Sequence, residues 1–307
     1  MLFKNAIIYR FTKAIPWPED DLAAALEEHS FTPCQANDTY RLGWVAPAPL
    51  ISDELVYKNG RYLLLTLKKE EKILPASVIK EEIEERAQEI EAREQRKLRK
   101  KEKQELKEQV VAVLLPKAFT RSKRVSAYID LEDGVLVVDT SSGTKADEFT
   151  SFLRQTMGTL PIRFIALNEA PAVHFSNWVQ TDNSPTPFVM GDHCELRSGD
   201  GTDTVIRCKG TESLTDVISS HIDAGMQVTQ LSLEWDEKIS LVAVDDFQLK
   251  RIKYLDTFQE KLSEGGEEEA AARFEADFSL MTMEFSKLIT DLTSALGGED
   301  MSAVVQD

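Results

Sequence analysis

Residues 75–116 read PASVIKEEIEERAQEIEAREQRKLRKKEKQELKEQVVAVLLP, and this stretch divides the chain. Val78, Ile79, Ile83, Ala87 and Ile90 keep helical spacing, with Ser77 as the expected N-cap after Pro75 and Pro116 as the stop. Unbroken to Leu115, such a helix would reach about 55 Å at 1.5 Å per residue. From Glu91 to Glu108 its apolar residues are only Ala92, Leu98 and Leu106. That part is polar nearly all round, so it either projects into solvent or breaks into two helices.

The flanks alternate between strands and helices. Before the stretch, Phe3 to Phe11 reads as a strand, Glu19 to His29 as a helix with Leu22 and Leu26 on one face, and Tyr40 to Val45 and Arg61 to Leu67 as strands. Asn59-Gly60 marks a turn. After it, Val125 to Leu131 and Val135 to Asp139 form a hairpin across Glu132-Asp133-Gly134, followed by a helix over Lys145 to Met157 and a strand over Leu160 to Leu167. Pro171 to Asp203 reads as loop-rich. Thr204 to Cys208, Gln227 to Trp235, Ile239 to Val244 and Leu249 to Tyr254 read as strands, and Glu264-Gly265-Gly266-Glu267-Glu268-Glu269 as an acidic linker. The closing helix carries Phe274, Phe278, Met281, Phe285, Leu288, Ile289, Leu292 and Leu296 at three- and four-residue spacing until Gly297-Gly298. The expected class is α/β (mixed α+β), with several small sheets, flanking helices and a long charged helical stretch. Its expected parts are an N-terminal α/β part (1–75), a long basic helical region (76–120), a hairpin-helix-strand part (121–170), a loop-rich and β-hairpin region (171–262), an amphipathic helix (263–299) and a tail (300–307).

At 307 residues and 42% hydrophobic content the chain can bury a sizeable core. No apolar run approaches the roughly 18 residues of a membrane helix, and the start does not resemble a leader, so the expected location is cytoplasmic. Formal net charge is −17, which by itself argues against nucleic acid. The distribution argues the other way. Arg93, Arg96, Lys97, Arg99, Lys100, Lys101, Lys103, Lys107, Lys117, Arg121, Lys123 and Arg124 face only Glu94, Glu102, Glu105 and Glu108, a local charge of +8 against −25 for the remainder. Such a strip is either a solvated helix face or a phosphate-binding surface, and acidic surroundings would confine DNA to it.

Catalytic patterns are missing: no nucleophile elbow, Walker loop, dinucleotide glycine fingerprint or His-Glu-x-x-His helix occurs. Cys34, Cys194 and Cys208 contain no Cys-x-x-Cys pair, so they read as free thiols and not as a disulfide framework or zinc ribbon. His193-Cys194 is poor chelating geometry, and His29, His174 and His221 are isolated. Neither a metal nor any other cofactor is expected. The material for a metal-dependent nuclease is Asp139, Asp236-Glu237-Lys238 and Asp245-Asp246, residue types also normal in turns.

Nine strings in order, among them Phe31-Thr32-Pro33-Cys34, Gly43-Trp44-Val45, Leu114-Leu115-Pro116-Lys117-Ala118-Phe119, His221-Ile222-Asp223-Ala224-Gly225, Leu231-Ser232-Leu233-Glu234-Trp235 and Leu296-Gly297-Gly298-Glu299, resemble the recombination-associated protein RdgC family of proteobacteria over residues 1 to 299. The resemblance implies a ring-shaped homodimer that encircles double-stranded DNA with little sequence preference, associates with the nucleoid and restrains RecA-type recombinase activity; single-stranded DNA is a further expected ligand. It implies that Phe119 lies at a dimer contact, whereas the residue pattern alone fits a core position equally well. It also implies a DNA contact after Val205-Ile206-Arg207-Cys208, where Lys209 keeps the charge but Gly210 and Thr211 replace a longer polar pair. The rival readings are the nuclease and a protein-interaction scaffold that binds no DNA.

Overall fold

The structure, a computed structural model, describes residues 1–199, 204–210, 214–260 and 270–304. Its elements in chain order are β1 (Ile7–Phe11), α1 (Glu19–Glu28), β2 (Tyr40–Val45), β3 (Val56–Asn59), β4 (Tyr62–Lys72), α2 (Ala76–Glu94), α3 (Lys100–Leu114), a 3-10 turn (Leu115–Lys117), β5 (Thr120–Asp130), β6 (Val135–Val138), α4 (Gly143–Met157), β7 (Ile162–Phe164), α5 (Pro171–Thr181), β8 (Phe188–Ser198), β9 (Val205–Lys209), α6 (Leu214–Asp223), β10 (Met226–Trp235), β11 (Ile239–Val244), β12 (Leu249–Tyr254), α7 (Asp256–Glu260) and α8 (Ala270–Ala295). The class is mixed α/β, as the alternating patterns imply.

Two compact units divide the chain, one of residues 1–25, 46–65 and 125–307, the other of residues 26–45 and 66–124. In the larger unit, β6 pairs antiparallel with β5 and with β1, which in turn pairs with β7. The turn between β5 and β6 is fixed by Arg61, which reaches Asp130, Glu132 and Asp133 at 2.8, 2.6 and 2.6 Å. A second, five-stranded sheet has the order β12-β11-β10-β8-β9. In β10, Leu231, Leu233 and Trp235 are buried at alternate positions, the period-2 pattern of a half-covered strand, and a register shift between Val228 and Gln230 separates them from the buried Val228. The 3- and 4-residue spacing of Phe278, Met281, Phe285, Leu288 and Leu292 gives α8 a fully buried stripe. Phe278 packs edge-on against Tyr57 and Tyr128, and Phe285 against Phe3. This stripe is core. Gly297 and Gly298, at φ +86° and +90°, end the helix by letting the Gly298 N–H reach back to the Thr293 carbonyl at 2.9 Å.

The smaller unit holds the β2–β4 pairing, Tyr40 to Val45 against Glu71 to Thr66, and the two helices of the charged stretch. That stretch breaks in two. Gln95 takes a left-handed backbone at φ 54° and ends α2, and Arg99 opens α3. Glu91 accepts the Leu98 N–H at 2.9 Å and Glu102 accepts the Arg99 N–H at 2.7 Å, so two of the backbone donors between the helices are satisfied by carboxylates of the helices themselves. Helix α2 starts at Ala76 with Pro75 as its cap, which corrects the expectation for Ser77.

Other boundaries shift as well. The first strand begins at Ile7, with Ala6 making only an isolated bridge to Leu249, and the strand expected from Leu160 to Leu167 shortens to three residues. The loop-rich reading of 171–203 is wrong at the level of elements, since α5 and β8 occupy most of it. Pro171 at the first helical turn and the inward Phe175, Trp178 and Val179 carry a helix signal that was legible. The acidic string 264–269 and Thr211 lie outside the described residues.

Candidate nucleic-acid interface

All twelve cations from Arg93 to Arg124 belong to the smaller unit, and every one is exposed. That unit holds 18 basic and 15 acidic residues, net +3, which leaves −20 for the larger one. The reason the cations stay in water is local. Helix α2 buries no residue, and α3 buries only Leu106 and Val110, so its remaining faces are free for charge.

Five of the twelve are partnered. Arg96 holds Glu102 and Glu94 at 2.7 and 2.6 Å, Lys97 holds Glu91 at 2.8 Å, and Lys101 lies 3.9 Å from Glu105. On the outer half of β5, Arg121 and Lys123 both reach the Glu71 carboxylate, at 2.6 and 3.0 Å. Hydrogen bonds from Arg121 and then Lys123 hold the Glu71 carboxyl down at about 2, and those from Arg96 and the Arg99 backbone do the same for Glu102. Arg93, Arg99, Lys100, Lys103, Lys107, Lys117 and Arg124 form no ion pair among the described residues. The exposed pairs are worth little in water and can be exchanged for phosphate oxygens.

Phe119 follows the 3-10 turn. Its carbonyl accepts the Ile73 N–H at 2.7 Å, so the backbone is fixed, yet its ring is 85% exposed. The core alternative for this side chain is thereby excluded within one chain. Ile73, 44% exposed, adds apolar surface beside it.

Lys209 stands in the larger unit, exposed on β9 and paired in register with His193 of β8. A cavity of about 370 Å³ is lined by both, with Ser232, Arg251 and Lys253. Arg251 and Lys253 are cations that charge counting along the chain does not pick out, because only the sheet order β12-β11-β10-β8-β9 brings them to the cavity of Lys209, which Asp192 and Glu234 also line. Arg207, two residues before Lys209, shares the buried Glu195 carboxylate with Arg197, at 2.7 and 3.0 Å. The arginines hold that carboxyl below its usual range against the opposing effect of burial.

The carboxylates considered for a metal do not converge. Asp236-Glu237-Lys238 and Asp245-Asp246 occupy turns at opposite ends of the six-residue strand β11, about 20 Å apart at 3.3 Å per residue. Lys238 is held by Asp236 and Glu284 at 2.5 and 3.2 Å, and Asp139 accepts the Lys4 and Asn5 N–H groups at 3.0 Å. Among the described residues no group of three His, Cys, Asp or Glu side chains is placed to hold a metal ion, and no helix is long and apolar enough to cross a membrane.

Fold and surface together define a mixed α/β protein whose exposed cations are concentrated on one unit of an otherwise acidic chain. The family model described as "Putative exonuclease, RdgC" matches residues 1–299. The chain is 43% identical to the recombination-associated protein RdgC of Psychromonas ingrahamii over 299 residues, 97% of this chain and 99% of that one. Its identity to the recombination-associated proteins RdgC of Tolumonas auensis and Aeromonas hydrophila is 40% and 39%, again over nearly the full length of each. The chain belongs to the RdgC family.

Proposed function

We propose that this protein binds double-stranded DNA without sequence preference, as a homodimer that encircles the duplex, and that by occupying DNA it restrains a RecA-type recombinase. Single-stranded DNA would be held by the same phosphate contacts, and the working location would be the cytoplasm, on the nucleoid. The observation that carries this reading is the cluster of twelve exposed cations on a unit of net positive charge, seven of them without an ion pair among the described residues. Lysine and arginine contacts to phosphate give affinity without reading bases. Phe119 supports the dimer, because an aromatic ring 85% exposed on a fixed backbone is suited to a contact between subunits. Lys209, with Arg251 and Lys253 about the same cavity, would add phosphate contacts from the larger unit.

Gel shift with random-sequence duplex across a salt series tests the proposal. The expected log–log slope is about −0.9 per phosphate neutralised, so six contacts would give roughly −5. Strong binding that stays flat between low and moderate salt would overturn it, and absence of binding at low salt would favour the scaffold. With Mg²⁺ present the duplex should be recovered at full length; trimming that is abolished by Asp245→Asn with Asp246→Asn would put a nuclease in its place.

Changing Glu71→Gln removes the anion that occupies Arg121 and Lys123. Duplex binding is expected to tighten about threefold, corresponding to roughly 0.7 kcal/mol for freeing two exposed cations. Weaker binding in the same gel shift would take these two residues out of the interface.

A further inference from the structure

We propose that Cys194 and Cys208 are a modification site, a dithiol that closes reversibly to a cross-strand disulfide when a hydroperoxide is present. Nothing in this chemistry depends on nucleic-acid binding. Fourteen positions apart in sequence, the two cysteines are directly opposite in the β8–β9 ladder. Both are free and both are buried, their side chains on the core face of the sheet. The Gly210 N–H donates to the Asp192 carbonyl at 3.0 Å and the Ser198 N–H to the Thr204 carbonyl at 3.2 Å. Alternation along the ladder therefore makes Cys194 and Cys208 a hydrogen-bonded pair, with Cα atoms about 5.5 Å apart. That separation lies inside the roughly 4.4–6.8 Å that a disulfide spans, while the Cβ spacing of a hydrogen-bonded pair, about 5.5 Å, exceeds the usual value of roughly 3.5–4.5 Å, so closing the bridge must draw the two strands together and leaves a bond that is readily reduced.

The two thiols touch. Burial, then the neighbouring Cys208 thiol, pushes the Cys194 thiol up to about 12, which suits Cys194 to the second, resolving step and leaves Cys208 as the sulfur that meets the oxidant first. Cys208 is the more accessible of the two, at 8% exposure against 0% for Cys194.

The chemistry balances in two steps. The Cys208 sulfur attacks the distal peroxide oxygen, the O–O bond breaks, and an alcohol or water leaves as the thiol becomes a sulfenic acid. The Cys194 sulfur then displaces that oxygen as water, forming the S–S bond. The protein loses two hydrogens and the hydroperoxide takes two electrons. The second step is intramolecular between groups already in contact, which favours the bridge over further oxidation of Cys208.

The test treats the full chain with a small excess of hydrogen peroxide, then denatures, alkylates and maps peptides. The expected result is a linked pair of peptides containing Cys194 and Cys208, lighter by two hydrogens, absent after dithiothreitol is added. In Cys194→Ser the sulfenic acid at Cys208 should persist long enough to be trapped by dimedone. Both thiols still fully alkylated after a dose that oxidises Cys34, or Cys208 found as sulfinic acid without a bridge, would overturn the proposal. The wild-type map decides it even if the variant does not fold.

Discussion

Replacing Arg99, Lys100, Lys101 and Lys103 together by alanine is expected to lower duplex affinity about a hundredfold at moderate salt, equally for all sequences, and to leave the fold intact. Four exposed cations at roughly 0.7 kcal/mol each amount to about 3 kcal/mol, which is the hundredfold loss. If all four neutralise phosphates, the salt slope should become shallower by about 3.6. The fold should survive for a specific reason. Lys100, Lys101 and Lys103 occupy the first turn of α3, where the helix dipole disfavours positive charge, and alanine has the highest helix propensity. Arg99 caps this helix with its backbone N–H donating to Glu102, a bond that alanine retains. The thermal midpoint is therefore expected to stay level or rise slightly while binding falls. That opposition is informative: cations placed against a helix dipole are a local cost to folding, and a partner that gains from them is the physical reason to keep them. A loss confined to one DNA sequence would point to base readout, and unchanged affinity would remove α3 from the interface.

How much of this was legible in the sequence depends on how far apart the interacting residues lie. The period-2 run Leu231 to Trp235 of β10 and the stripe of α8 declare themselves, because a single covered face imposes a regular pattern on the residues. The break in the charged stretch is different. Gln95 is an ordinary residue in a left-handed conformation, and what holds it there is Glu91 accepting from Leu98, seven positions on, and Glu102 reaching back to Arg99. No propensity marks such a break. Strand β8 hides for a related reason: the Glu195 carboxylate is buried in it, which reads as a loop until Arg197 and Arg207 are seen to close on it.

The candidate surface shows the same division. The run of cations from Arg93 to Arg124 is contiguous and could be counted. Which of them are free could not be, since Glu71 engages Arg121 and Lys123 across some fifty positions of sequence. The cations accompanying Lys209, Arg251 and Lys253, come from β12, and only sheet order brings them to one cavity. The cysteines illustrate the limit most directly. Their spacing along the chain implies three free thiols, and only the β8–β9 register sets two of them face to face.

Phe119→Ala is expected to weaken self-association by about thirtyfold or more, the effect of removing an aromatic anchor of about 2 kcal/mol or greater from an interface. The residue belongs to a short segment whose conformation does not depend on its ring: the 3-10 turn Leu115–Lys117 precedes it, and the Phe119 carbonyl holds the Ile73 N–H. At 85% exposure the ring buries almost nothing within its own chain, so alanine disturbs no core packing and leaves no cavity. The fold of the single chain should therefore be intact, with the thermal midpoint falling only by what the weaker self-association removes. Sedimentation velocity over a concentration series would show the shift toward monomer, and gel shift would show weaker duplex binding in parallel, because an encircling dimer that opens at one interface lets the duplex leave sideways. The two readouts separate dimerisation from DNA binding. A variant that remains fully dimeric and binds duplex with unchanged affinity takes Phe119 out of the subunit interface. A variant that is monomeric yet binds duplex with unchanged affinity leaves the cations of α3 sufficient by themselves, and the encircling arrangement is then wrong even though the DNA-binding surface is right.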